Sequence, residues 1–148
     1  MTGPRPQRPT VLALDLEGTL ISNAMSQIPR PGLKAFLTRC ETLFERVVAF
    51  TTVREPLFRQ IAQLLVEEGV APNWFACIEY VNWRGPTKDL AFIPGIQAQQ
   101  ALLLDDYEAY VHPGQEGQWL WVAQFEPPYS ERDRGLARAL ELLQQRLA

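Results

Sequence analysis

Three short, unbroken apolar runs constrain this chain most: Val11–Leu14, Val47–Phe50 and Ala101–Leu104, each stopping abruptly at polar residues. An apolar run of this length, without polar alternation, suits a strand buried on both faces of a parallel sheet. Helical periodicities separate the runs. Pro31 and Gly32 open one, with Leu33, Phe36, Leu37, Cys40 and Leu43 at helical spacing. Glu55 and Pro56 start another, with Leu57, Ile61, Leu64 and Leu65 expected on one face and Gly69 as its stop. Leu136, Leu140, Leu143 and Leu147 give the apolar stripe of a last helix. Trp74–Tyr80 is a weaker strand candidate, Lys88–Phe92 a short helix or turn, and Trp119–Val122 a fourth strand suited to an edge. The alternation predicts a doubly wound α/β domain: a three-layer, Rossmann-like core around a mainly parallel sheet.

A chain of 148 residues is expected to form one domain, here 11–148, behind a flexible, proline-rich leader at 1–10. With 47% hydrophobic and 21% charged residues, the core can be sizeable. The net charge of −3 argues against a nucleic-acid or membrane-surface partner, which usually calls for a basic face. Cys40 and Cys77 share no metal-ligand spacing and are expected to be reduced thiols in or near the core of a cytoplasmic protein. No secretory signal and no bilayer-length apolar run are visible.

The polar residues closing the runs carry the chemistry. Asp15, Glu17, Gly18 and Thr19 follow the first, Thr51 and Thr52 the second, Asp105 and Asp106 the third. In an open parallel sheet the carboxyl ends of strands converge on one crevice. Lys88, about a dozen residues before the third run, can reach the same rim. Taken singly, an acidic pair after a strand is the commonplace of a helix cap or solvated turn. Together these residues supply what phosphoryl transfer needs: a carboxylate nucleophile in Asp15, an acid/base in Glu17, and hydroxyls and a cation for phosphate in Thr51, Thr52 and Lys88. Attack by an anion on a phosphoryl dianion calls for a divalent cation. Mg2+ suits an all-oxygen site of Asp15, the Glu17 carbonyl and Asp105 or Asp106. The expected partner is thus a phosphorylated substrate.

Asp15-Leu16-Glu17-Gly18-Thr19-Leu20, then Arg30-Pro31-Gly32-Leu33 with Phe36-Leu37, then Phe50-Thr51, form an ordered series. Lys88-Asp89-Leu90, Asp105-Asp106 and Tyr110 with His112-Pro113 continue it. This series resembles the haloacid dehalogenase-like superfamily of aspartyl-phosphate hydrolases. Within it, the chain is similar to the branch of NLI-interacting-factor-like, small C-terminal-domain phosphatases, over about Val11 to Phe125. The resemblance implies Asp15 as nucleophile, Thr51 and Lys88 as phosphate ligands, and Asp106 as metal ligand with Asp105 beside it. The short segments between motifs imply little or no cap domain.

One departure stands out. The family carries aspartate where this chain has Glu17, the position that protonates the leaving group and then activates water. Glutamate keeps the chemistry, with an ordinary pKa about 0.4 units higher, but sets its carboxyl roughly 1.5 Å further out, one C–C bond. A misplacement of about 1 Å can cost on the order of 100-fold in rate. A binding or interaction module without turnover is therefore the alternative to a phosphatase, and transfer to another acceptor a third possibility. Arg54, Trp83 and Arg84 are the candidate substrate contacts, Arg54 for a second anionic group. His112 is expected to pack in a turn, the other tryptophans to lie in core and rim, and Glu131–Arg134 to be a solvated helical face.

Overall fold

The computed structural model describes residues 8–148, so positions 1–7 of the expected leader lie outside the described residues. Among the described residues, five strands, β1 (Val11–Leu14), β2 (Arg46–Ala49), β3 (Glu79–Tyr80), β4 (Ala101–Asp105) and β5 (Trp119–Trp121), form one sheet in the order β3-β2-β1-β4-β5. Every neighbouring pair is parallel. Helices α1 (Leu33–Leu43), α2 (Glu55–Glu67) and α3 (Gly135–Leu147) complete the regular structure. Thr10 already belongs to the fold: its N–H donates to the Gln100 carbonyl, and its own carbonyl accepts from Glu45 and Arg46.

Side chains alternate across the sheet, as a period of two requires. Leu12, Leu14, Leu102 and Leu104 face a core shared with Phe36, Leu37, Ile61, Phe58, Leu136 and Leu143, so all three helices cover one face. Val11, Ala13, Val48, Leu103 and Phe50 face a second core closed by Val81, Leu90 and Ile93. The expected second outer layer is thus built from irregular chain and single 3-10 turns, such as Leu90–Phe92 and Ala98–Gln100, rather than from α-helix. Chain order explains this. The sheet winds one way through β2 and β3, then returns past β1 to β4 and β5. Because crossovers are right-handed, that reversal puts the later connections on the opposite face.

Four local expectations are corrected. On α2 the buried residues are Phe58, Ile61, Ala62 and Leu65, whereas Leu57 and Leu64 are 40% and 44% exposed. Trp74–Tyr80 is mostly a 3-10 turn over Asn73–Cys77, started by the Phe75 N–H donating to the Pro72 carbonyl, and leaves only two residues of strand. Cys77 is exposed; only Cys40 lies in the core, where burial pushes its thiol up to about 12. Glu131–Arg134 precedes α3 instead of riding on it, and Asp133 is paired with the buried Arg30. The remaining edges match expectation: β5 is an edge strand, and α3 buries Leu136, Leu143 and Leu147 together with Ala139. No described helix is long and apolar enough to cross a membrane.

Candidate active site

The winding of the chain switches sides at β1, and the carboxyl ends of β1 and β4 lie side by side, where open α/β sheets bind ligands. Asp15 leaves β1 with its N–H still donating to the Leu104 carbonyl at 3.1 Å. Asp105 is the last residue of β4 and Asp106 follows it. One oxygen from each of Asp15, Asp105 and Asp106 lies within 4.8 Å of the others.

Both oxygens of the Asp15 carboxylate are held. Lys88 Nζ donates to Oδ1 at 2.9 Å, and the Thr19 hydroxyl lies 2.9 Å from Oδ2. The Lys88 ammonium also donates to Asp105 Oδ2 at 2.6 Å and sits 5.0 Å from the centre of the Tyr110 ring. Its position is set by the chain: the Lys88 N–H donates to the Tyr110 carbonyl, which anchors an otherwise irregular segment. Burial alone would lower the Lys88 pKa, but the charges and hydrogen bonds of Asp15 and Asp105 outweigh it and raise it, so the buried side chain stays cationic.

The carboxylates remain short of positive charge. Burial and the neighbouring Asp15 raise Asp105 to about 6 despite Lys88. Burial, a hydrogen bond with Asp15 and the charges of Asp15 and Asp105 raise Asp106 to about 8. Crowded carboxylates with only oxygen donors fit a hard divalent cation such as Mg2+. Gly18 makes the crowding sterically possible. Its φ is +76°, and a Cβ there would lie 2.5 Å from Asp106 Oδ2.

Glu17 lies on the same loop, but its carboxylate turns to the following segment, where Oε2 accepts the Ala24 N–H at 2.7 Å. Its carboxylate is not part of the three-aspartate cluster. Its main-chain carbonyl accepts none of the turn's backbone hydrogen bonds.

Thr51 is buried beside β1, and its hydroxyl accepts the Val53 N–H at 3.1 Å, leaving its own proton free to donate. Thr52 is exposed beside it. Thr51, Thr52, Arg54, Trp83 and Arg84 line one open cleft of about 360 Å3, which brings together both expected phosphate-binding hydroxyls and all three candidate substrate contacts. The Trp83 indole N–H is committed to the Thr51 carbonyl at 2.8 Å, and its ring packs against Phe50 and Tyr110. Trp83 therefore fixes the threonine and offers its ring as a wall. His112 is held in a turn, with Nδ1 2.7 Å from the Thr87 hydroxyl and Nε2 3.4 Å from Asp89.

A family model described as NLI interacting factor-like phosphatase matches residues 10–148. The chain belongs to that family. Comparison with curated proteins gives no match. Membership in the NLI interacting factor-like family, a haloacid dehalogenase-like branch, accords with the α/β core, and no cap domain is present among the described residues. Three residues without a role in the sequence motifs stand around the aspartate cluster. Thr19 stands within the motif after β1, and its hydroxyl donates to Asp15. Tyr110 lies over Lys88. Arg30 binds the carbonyls of Gly18 and Thr19.

Proposed function

We propose that the protein is a Mg2+-dependent phosphomonoester hydrolase that forms an aspartyl phosphate on Asp15. The observation that carries this is the Asp15 carboxylate, held at both oxygens by Lys88 and Thr19 inside a cluster with Asp105 and Asp106. Family membership supports the broader class of phosphatase.

A Mg2+ ion held by Asp15, Asp106 and the Glu17 carbonyl, with Asp105 beside them, would offset the charge that keeps an anionic carboxylate from a phosphoryl dianion. Asp15 attacks phosphorus, the bond from phosphorus to the ester oxygen breaks, and the leaving oxygen takes its electron pair and a proton from Glu17. Glu17 then accepts a proton from water as that water attacks the same phosphorus. The bond to Asp15 breaks, restoring the carboxylate and releasing phosphate. Lys88 and the Thr51 hydroxyl offset charge on the equatorial oxygens. Thr52 lies at the same rim, and Arg54, Trp83 and Arg84 form the cleft wall for the rest of an accessible substrate, a phosphoprotein among the candidates.

The test is phosphate release from p-nitrophenyl phosphate with Mg2+, alongside Asp15→Asn. The wild type turns over and the variant does not. A wild type as inert as the variant across aryl, peptide and nucleotide phosphates overturns the reading.

One observation favours a second reading, a phosphate-binding or protein-interaction module without turnover. The Glu17 carboxylate is already engaged by the Ala24 N–H, away from the aspartate cluster. That reading expects Glu17→Asp to create or greatly increase turnover at unchanged stability, and an active wild type excludes it.

A further inference from the structure

Arg30 follows a loop 12 residues beyond Gly18, and its guanidinium is fully buried. All its donors are used. Nε and Nη2 form a fork onto Asp133, at 2.7 and 3.2 Å. Nη2 also donates to the Ala123 carbonyl at 2.6 Å, and Nη1 to the carbonyls of Gly18 and Thr19 at 3.3 and 3.2 Å. The guanidinium lies 5.5 Å from the centre of the Phe125 ring, while the Phe125 N–H donates to the same Gly18 carbonyl at 2.8 Å.

This cation joins two distant parts of the chain. On one side, Asp133 Oδ1 also accepts the Gly135 N–H at 2.9 Å, which ties the fork to the first residue of α3. Gly135 packs so closely that a Cβ there would overlap Nη2. On the other side, the two peptide planes gripped by Nη1 belong to residues that shape the phosphoryl site. Thr19 carries the hydroxyl on Asp15, and Gly18 lies against Asp106.

We propose that Arg30 is a positioning residue of the phosphoryl site, transmitting the placement of Asp133 and Gly135 at the start of α3 to the loop bearing Asp15, Glu17 and Thr19. The inference rests on the phosphatase reading for its catalytic consequence. A planar fork with five donors can serve these separated acceptors at once, whereas an ammonium is a single point of charge. Releasing the loop leaves the phosphate ligands Thr51 and Lys88 in place but loosens the nucleophile, so the loss belongs in kcat and not in KM.

The experiment measures p-nitrophenyl phosphate kinetics and amide exchange for Arg30→Lys, Asp133→Asn and Arg46→Gln, at a temperature where circular dichroism finds each folded. Asp133 is part-exposed, so its variant keeps the test decisive if Arg30→Lys fails to fold. Arg46→Gln removes an exposed pair with Glu79 that does not touch the loop, and it keeps wild-type kcat. The expected result for the other two is at least about a tenfold fall in kcat, KM within about twofold, and faster exchange of the Phe125 amide. Folded variants with wild-type kcat overturn the proposal, as does a loss carried in KM. If the wild type releases no phosphate, the phosphatase reading fails, and exchange alone decides: an unchanged Phe125 amide in Asp133→Asn overturns the positioning role.

Discussion

Asp15 and Lys88 are 73 residues apart and form a buried ion pair. Removing the cation from a fully buried site leaves two carboxylates uncompensated. Lys88→Met should abolish turnover and lower stability by about 3–5 kcal/mol in urea titration, the range for breaking a buried pair. A variant of wild-type stability contradicts that assignment. Gly18→Ala tests the close approach of loop and Asp106. The left-handed conformation costs about 1–2 kcal/mol for an L-residue, and the added methyl displaces the Asp106 carboxylate. Activity should fall with a stability loss of about that size; unchanged activity contradicts the packing argument. The motif made Asp15, Lys88 and the paired aspartates legible, because each stands at the end of an apolar run or within a short recognisable string. It could not reveal where the Glu17 carboxylate turns, since that depends on the fold of residues 22–28 bringing the Ala24 N–H within reach.

Strands β1, β2 and β4 were readable because a continuous apolar run has one comfortable place in a parallel sheet. Helix α2 was less so. Leu57 and Leu64 fit a helical period as well as Phe58 and Ala62 do, and only the direction in which the helix meets the sheet selects between the faces. Phe58→Ala should therefore cost about 3–5 kcal/mol, as for a fully buried aromatic, while Leu57→Ala stays within about 0.5 kcal/mol of wild type. Comparable losses in chemical denaturation would show the face to be assigned wrongly. Trp74–Tyr80 misled for a related reason. Its aromatic residues favour strands, but Phe75 is buried through a 3-10 turn and packs edge-on to Phe58. Tertiary contact overrides local preference there.

Across the described residues, the layout follows from one reversal of winding at β1, which gathers the carboxyl ends of the strands along one edge of the sheet, with no cap domain among those residues. The Arg30–Asp133 pair spans 103 residues and has no local sequence signature, so this link between the start of α3 and the loop bearing Asp15 is not legible in the sequence. Titration also acts on this scale. Asp106 is raised in the folded protein, so its protonated form stabilises the fold below the ordinary aspartate value of about 3.9, and that contribution is lost as pH rises toward about 8. Metal-free protein should accordingly lose thermal stability between pH 5 and 8 by roughly that titration, and Mg2+ should raise Tm most at the alkaline end. A Tm independent of Mg2+ at pH 8 contradicts the metal site. Asp133 has the opposite sign. Although burial raises it, the Arg30 and Gly135 hydrogen bonds and the Arg30 charge prevail and lower it, so its contribution holds at neutral pH and fades as pH falls below the ordinary aspartate range.

The central claim, that Asp15 is the nucleophile, is tested most directly by quenching turnover with borohydride, which reduces an acyl phosphate to an alcohol. Peptide mass mapping of wild-type protein quenched with Mg2+ and p-nitrophenyl phosphate should find homoserine at position 15, and none when substrate is withheld. Phosphate release with position 15 still aspartate would contradict the account.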